Sequence, residues 1–279
     1  MTERLRSVDG RTELRIERRL DHPPAKVWRA LTEPAELAAW FPAAVELDLR
    51  LDGRIAFAFA EGEDDFVEDP DNTGVIRAYD PPRLLEYNWG VEVLRWELAP
   101  DGAGCLMTLT ATFDDRAAAA SYTAGWLTCF SALDRALGGS DEPIKDYAPL
   151  HDQYVREFGL DAGTIDREGD RWTIRFERQV AKPKEQVWSY LCGDDRPAQG
   201  CAAPAGFVAK GIEPRTADVV TEPTSMEYGW QYDGTVSWHL RDGNGGARLL
   251  VTHTGPISED PSALYDAWHD LIEAAAENA

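Results

Sequence analysis

The chain repeats itself, and that repeat constrains its architecture more than any other feature. Glu17 to Leu31 reads ERRLDHPPAKVWRAL, and Glu177 to Leu191 reads ERQVAKPKEQVWSYL, at an offset of 160. Glu86-Tyr87-Asn88-Trp89 returns as Glu227-Tyr228-Gly229-Trp230 at an offset of 141. Trp96-Glu97-Leu98 returns as Trp238-His239-Leu240, and Gly125-Trp126 as Ala267-Trp268, both at 142. The matches keep their order, so one fold is expected twice. The offset falls by 19 between Leu31 and Glu86, and the second copy is therefore shorter by that much over this stretch.

In the first copy residues 12–20 alternate, with Leu14, Ile16 and Leu20 on one side, which predicts a strand. Pro23-Pro24 opens a short helix to Leu31, since proline is tolerated in a first helical turn. A second short helix over 34–40 ends in Trp40-Phe41-Pro42. Strands are predicted at about 44–50, 54–60, 73–79, 84–89, 93–99 and 105–113, with Asp52-Gly53 and Asp101-Gly102 as turns. Tyr122, Trp126, Phe130, Leu133 and Leu137 then fall at helical spacing, a long amphipathic helix over 116–137 that Gly138-Gly139 ends. The second copy predicts strand 171–180, helix 183–191, strands up to 254 and a helix over 260–276. A sheet followed by one long helix buries both apolar faces if the sheet curls around the helix. The expected fold class is α+β: two tandem helix-grip domains, each a curved antiparallel sheet wrapped on a long C-terminal helix. They are expected over residues 1–140 and 169–279, with a linker at 141–168 that holds a short helix at 147–158.

A length of 279 residues suits two domains, and 43% hydrophobic residues can fill a core in each. No apolar run reaches the ~18 to 20 residues of a membrane helix, and the charged segment Met1 to Arg11 does not read as a secretion signal. A cytoplasmic protein that does not engage membranes is the expectation. The net charge of −22, spread over both copies, disfavours nucleic acid as a partner. Cys105, Cys129, Cys192 and Cys201 form no CxxC pair and match no zinc spacing. His239, His253 and His269 disagree in strand and helix parity, and no metal or other cofactor is expected. The acidic run Glu61, Glu63, Asp64, Asp65, Glu68, Asp69 and Asp71 lacks the spacing of a calcium loop and reads as a solvated hairpin tip. No HExxH, GxSxG, phosphate-loop or dinucleotide motif is present.

Facing pairs can be argued from the turns. Trp89 facing Leu94 puts Tyr87 opposite Trp96 and Leu85 opposite Leu98; in the next hairpin Trp96 then faces Met107 and Leu94 faces Leu109. All share one face, which should meet Trp126 and Phe130 of the long helix, joined by Phe57 and Phe59. Such a stripe either fills a core or lines a small-molecule site. Arg18 and Arg178 take the inward parity of their strands. A buried guanidinium needs a carboxylate or a ligand, unless it snorkels to water, so Arg18 is a candidate polar anchor.

The strand–proline–Val27-Trp28 helix start, the Trp40-Phe41 pair, the Trp89 and Trp96 strands and the Gly125-Trp126 helix resemble a known family. It is the AHSA1-like (Hsp90 ATPase activator homologue) branch of the START/Bet v 1-like (SRPBCC) superfamily. The likeness covers nearly all of the first copy and most of the second, which lacks the Trp-Phe pair: Asp194 to Pro204 reads DDRPAQGCAAP, broken by Gly and Pro. The resemblance implies a cavity in the first copy, lined by Trp40, Phe41, Phe57, Phe59, Tyr87, Trp89, Trp96, Met107, Leu109, Trp126 and Phe130. It implies function only coarsely, because the superfamily hosts lipid carriers, cyclases and co-chaperone domains. The expected function is a non-enzymatic binding protein for a small apolar or aromatic molecule. The alternatives are a chaperone-linked interaction protein and a cavity enzyme of cyclase or hydrolase type. The second copy, short of its lid, is expected to have a filled or shallow core. Collapse, the linker helix, a protein partner or self-association would cover it.

Overall fold

The computed structural model describes residues 2–59, 72–139 and 141–279, and the acidic run from Glu61 to Asp71 lies outside them. The chain divides into two compact units, Met1–Tyr154 and Val155–Ala279.

The first unit runs β1 (Thr2–Val8), β2 (Arg11–Leu20), α1 (Pro24–Thr32), α2 (Pro34–Leu37), β3 (Ala44–Leu47) and β4 (Arg54–Ala58). It continues through β5 (Thr73–Asp80), β6 (Leu84–Trp89), β7 (Glu92–Asp101), β8 (Gly104–Phe113) and α3 (Ala119–Ala136), and α4 (Tyr147–Glu157) spans the boundary between the units. The strands form one antiparallel sheet in the order β1-β2-β8-β7-β6-β5-β4-β3. Strand alternation drives the layering: Leu14, Ile16 and Leu20 of β2, Leu94, Trp96 and Leu98 of β7, and Met107 and Leu109 of β8 are all buried. Trp126, Phe130 and Leu133 of α3 are buried as well, and Trp96 meets Trp126 and Phe130 edge-on at 5.3 and 5.9 Å. Each large side chain buried in this layer stabilises the unit by roughly 1.5–3 kcal/mol.

The second unit runs β9 (Thr164–Glu168), β10 (Arg171–Val180), α5 (Lys184–Cys192), β11 (Pro214–Thr221), β12 (Ser225–Trp230), β13 (Thr235–Gly243), β14 (Gly246–Pro256) and α6 (Ser262–Asn278). Its sheet has the order β11-β12-β13-β14-β10-β9, so it matches the first sheet without β3 and β4. The 19-residue shortening falls on α2 and that hairpin. A 3₁₀ turn at Ala205–Phe207 lies in the chain between α5 and β11 instead.

The two copies share their register. Ile16 pairs with Leu109 as Phe176 pairs with Val251, and Leu85 pairs with Trp96 as Met226 pairs with Trp238. Both turn between equivalent strands through a cis X-Pro bond, Pro81-Pro82 and Glu222-Pro223.

Three expectations are corrected. The hairpin registers differ by two residues: Tyr87 faces Leu94, Leu85 faces Trp96, Trp96 faces Leu109 and Leu98 faces Met107. The cause is a tight two-residue turn in each hairpin, Gly90-Val91 closing Trp89 onto Glu92 and Gly102-Ala103 closing Asp101 onto Gly104, with Gly90 and Gly102 at the positive φ, 54° and 61°, such turns require at their first position. An even slip keeps every side chain on its face, so the inward set survives. The second correction is β1, which returns along β2 through Asp9-Gly10. The third is β9, which lies within the segment expected as a linker and belongs to the second sheet.

Candidate functional site

The site is built in the first unit where α1, α2 and the β3–β4 hairpin close over the sheet. Pro24 starts α1, and the helix buries Val27, Trp28, Ala30 and Leu31. Pro34 starts α2, a single turn that buries Leu37 and delivers Trp40 and Phe41. The Trp40 indole N–H donates to the Ala30 carbonyl at 2.8 Å, which ties the chain after α2 back to α1. Val45 pairs with Phe57 and Leu47 with Ile55 across the β3–β4 hairpin.

These elements enclose a cavity lined by Leu31, Leu37, Trp40, Phe41, Val45, Leu47, Ile55, Phe57, Tyr87 and Trp96. Its volume is about 10 Å³, room for one water at most. Phe41 is the junction of an aromatic cluster, 6.0 Å from Phe57, 6.2 Å from Trp89 and 6.1 Å from Trp126. Phe57 stacks on Trp89 at 4.0 Å, and Trp40 meets Trp96 edge-on at 6.3 Å.

Two polar groups face this apolar lining. The Trp96 indole N–H donates to the Tyr87 hydroxyl at 3.3 Å, a long hydrogen bond. Burial raises the pKa of Tyr87, so the hydroxyl stays protonated. Among the described residues no acceptor takes the Tyr87 hydroxyl hydrogen.

Of the residues expected to line the cavity, Trp40, Phe41, Phe57, Tyr87 and Trp96 do so. Phe59, Trp89, Met107, Leu109, Trp126 and Phe130 are not among the lining side chains. Phe59 stacks on Trp89 at 5.7 Å, and Met107 and Leu109 belong to the buried layer beneath α3. Arg18 is likewise outside the lining. Its guanidinium lies 5.8 Å from the Phe130 ring centre; burial lowers its pKa, and the charges of Asp134 and Glu3 oppose that shift. Val45, Leu47, Ile55, Leu31 and Leu37 line the cavity without having been singled out in the sequence. The alternation of 44–50 and 54–60 carried the signal for the first three, but the aromatics of the same strands outweighed it.

The matching place in the second unit is full. Phe207 is completely buried, edge-on to Trp188 at 5.0 Å and to Trp238 at 5.4 Å. Its carbonyl oxygen accepts from the Tyr228 hydroxyl at 2.6 Å and from the Trp238 indole N–H at 3.0 Å. The 3₁₀ turn that follows the Gly- and Pro-broken stretch is therefore a plug. Gly206 lets it lie against α5, since a Cβ there would sit 2.3 Å from the Leu191 carbonyl oxygen. Among the described residues no group of three or more His, Cys, Asp or Glu is placed to hold a metal, and no helix is long and apolar enough to cross a membrane.

An antiparallel sheet gripping a long helix, with an apolar cavity under a short-helix lid, is a ligand-binding fold. Residues 21–138 match the family described as activator of Hsp90 ATPase homolog 1-like protein. The match lies within the first unit, and the second unit repeats the strand order of the first in shortened form. No curated protein matches the sequence. Similar solved structures include CalU16 from Micromonospora echinospora, 22% identical over 56% of this chain and 94% of that one, with a TM-score of 0.44. EF2215 from Enterococcus faecalis, a conserved protein of unknown function, is 18% identical over 56% of this chain and 90% of its own, with a TM-score of 0.47. DynU16, a protein of the dynemicin biosynthetic locus, is 17% identical over 95% of this chain and 98% of its own, with a TM-score of 0.42.

Proposed function

We propose that the first unit is a non-enzymatic binding protein for a small apolar or aromatic molecule, which enters by displacing the lid of α2, Trp40-Phe41 and the β3–β4 hairpin. The observation that carries this reading is the contrast between the copies. Both keep the same floor, Tyr87 and Trp96 in one and Tyr228 and Trp238 in the other, yet only the second fills the space above it with its own Phe207. The first covers the space with an inserted lid instead of a plug. Its lining is apolar apart from the Tyr87 phenol and two indole N–H groups, of which that of Trp40 is taken up by the Ala30 carbonyl, and this suits holding a molecule more than transforming it. The short edges of the lid favour opening, because β3 has four residues and α2 has four.

The test is a titration of the full chain with the neutral fluorescent dye N-phenyl-1-naphthylamine. Saturable one-to-one binding that is lost in Val45→Trp, which fills the cavity from the lid side, is the expected result. No saturable binding, or binding indifferent to Val45→Trp, would reject the proposal.

A further inference from the structure

We infer that the Tyr87 hydroxyl and the Trp96 indole N–H form a two-donor seat for a carbonyl oxygen, so that the ligand of the first unit is a neutral apolar molecule bearing a carbonyl. The inference rests on the binding reading above and adds the chemical class of the ligand.

The second unit supplies the template. Tyr228 and Trp238 stand on β12 and β13 in the register that Tyr87 and Trp96 hold on β6 and β7. In the second unit the pair converges on one atom, the Phe207 carbonyl oxygen, at 2.6 and 3.0 Å. The aromatic ring of the same residue packs edge-on against Trp238. The pair therefore holds a carbonyl with an apolar body beside it, and here that molecule is part of the chain.

The first unit has the donors without the acceptor. Trp96 turns onto the Tyr87 oxygen at 3.3 Å, and the Tyr87 hydrogen has no acceptor among the described residues. Tyr87 is 5% exposed and Trp96 2%, so water does not readily take the place of a partner. A buried donor left without an acceptor is unfavourable, and a carbonyl oxygen between the two would satisfy both at once. Both groups line the cavity directly. A carboxylate is the wrong ligand class: no cation is among the lining side chains, and the chain carries a net charge of −22.

The experiment compares acetophenone, labelled with ¹³C at its carbonyl, with the carbonyl-free ethylbenzene by NMR titration of the full chain. Acetophenone should bind about tenfold more tightly, and its carbonyl resonance should stay at or move downfield of its value in water. Tyr87→Phe should bring the two affinities together through loss of acetophenone affinity, with ethylbenzene unchanged. Tyr228→Phe should leave the tenfold preference intact, because its carbonyl is internal. Saturable binding of ethylbenzene with no preference for the ketone overturns the carbonyl seat and leaves the apolar site standing. A preference that survives Tyr87→Phe overturns the seat as well. If neither molecule binds, both readings fall. Should Tyr87→Phe fail to fold, the wild-type carbonyl shift decides: a resonance at or downfield of its aqueous value supports the seat, and an upfield move, the mark of a carbonyl without hydrogen bonds, rejects it.

Discussion

Arg178 and Glu273 meet in a fork inside the second unit, Nε to Oε1 at 2.7 Å and Nη2 to Oε2 at 3.1 Å, with the arginine side chain 2% exposed. The guanidinium that the strand pattern turns inward thus finds its carboxylate on the long helix. In the first copy Arg18 lies over Phe130; burial lowers its pKa and the charge of Asp134 on α3 opposes that shift, while desolvation raises the Asp134 pKa and Arg18 opposes that rise.

Removing one partner of a buried pair leaves a charge without compensation. Glu273→Ala should destabilise the second unit by about 3–5 kcal/mol in urea unfolding followed by tryptophan fluorescence. Arg178→Met combined with Glu273→Leu should recover most of that loss, because two apolar side chains carry no desolvation cost. A double variant as unstable as Glu273→Ala would contradict this account.

His253 makes the second unit sensitive to acid. Its ring is fully buried among Trp172, Trp230 and Trp268, and its Nδ1 accepts the Trp268 indole hydrogen at 2.9 Å. The neutral ring therefore carries its proton on Nε2. Burial pushes its pKa down to about 3, below the unfolded value of about 6.5. The resulting stability is fully present above pH 6.5 and is lost as the pH falls toward 3, by about 1.4 kcal/mol per pH unit. Comparing the wild type with His253→Leu between pH 6.5 and 4.5 isolates this slope from that of the carboxylates. Parallel curves would remove His253 as the cause.

Phe207 should behave as core although it sits in a loop. Phe207→Ala should cost about 3–5 kcal/mol, the range for a large buried side chain, and Phe207→Leu distinctly less. The backbone carbonyl remains in both variants, so Tyr228 and Trp238 keep their acceptor and the loss reports the ring alone. Differential scanning calorimetry of the full chain would show the second unit melting earlier, with the first unchanged.

Trp28 and Trp188 occupy matched places on α1 and α5, and both are expected to be scaffold. Trp188 is 1% exposed and packs on Phe207, while Trp28 is 8% exposed and lies 6.0 Å from Tyr79. Trp188→Ala should therefore lose more than Trp28→Ala, both within about 3–5 kcal/mol. A Trp28→Ala variant of unchanged stability but altered dye affinity would assign that residue to the site instead.

What the sequence allowed to be read follows from where its signals are periodic. The inward sets of β2, β7, β8 and α3 were legible because each alternates or repeats against one buried face. The edge strands β1 and β9 were not, because their charged residues show no apolar period and only the turns at Asp9-Gly10 and Gly169-Asp170 hint at them. The hairpin pairings slipped because turn length, not hydrophobicity, sets an even register shift. In the site, the aromatic residues were visible as a stripe, whereas the aliphatic Val45, Leu47 and Ile55 only become lining once the hairpin folds over. Phe207 was hidden by its Gly/Pro context: its role is tertiary, and nothing local marks a loop residue as core.

The strands at the rims of the two sheets bear on how such a chain survives at high concentration. An open rim offers unpaired N–H and C=O groups to any strand nearby, and a chain that contains one fold twice always carries a strand of similar sequence. The four rims here are poor templates. β1 presents Arg4 and Arg6, and β9 presents Asp166, Arg167 and Glu168. β3 is only four residues long, and β11 begins at Pro214 and is bulged between Pro214 and Val219. Charge, brevity, proline and irregular pairing each discourage recruitment of a further strand, and so oppose strand exchange between the two copies of the fold.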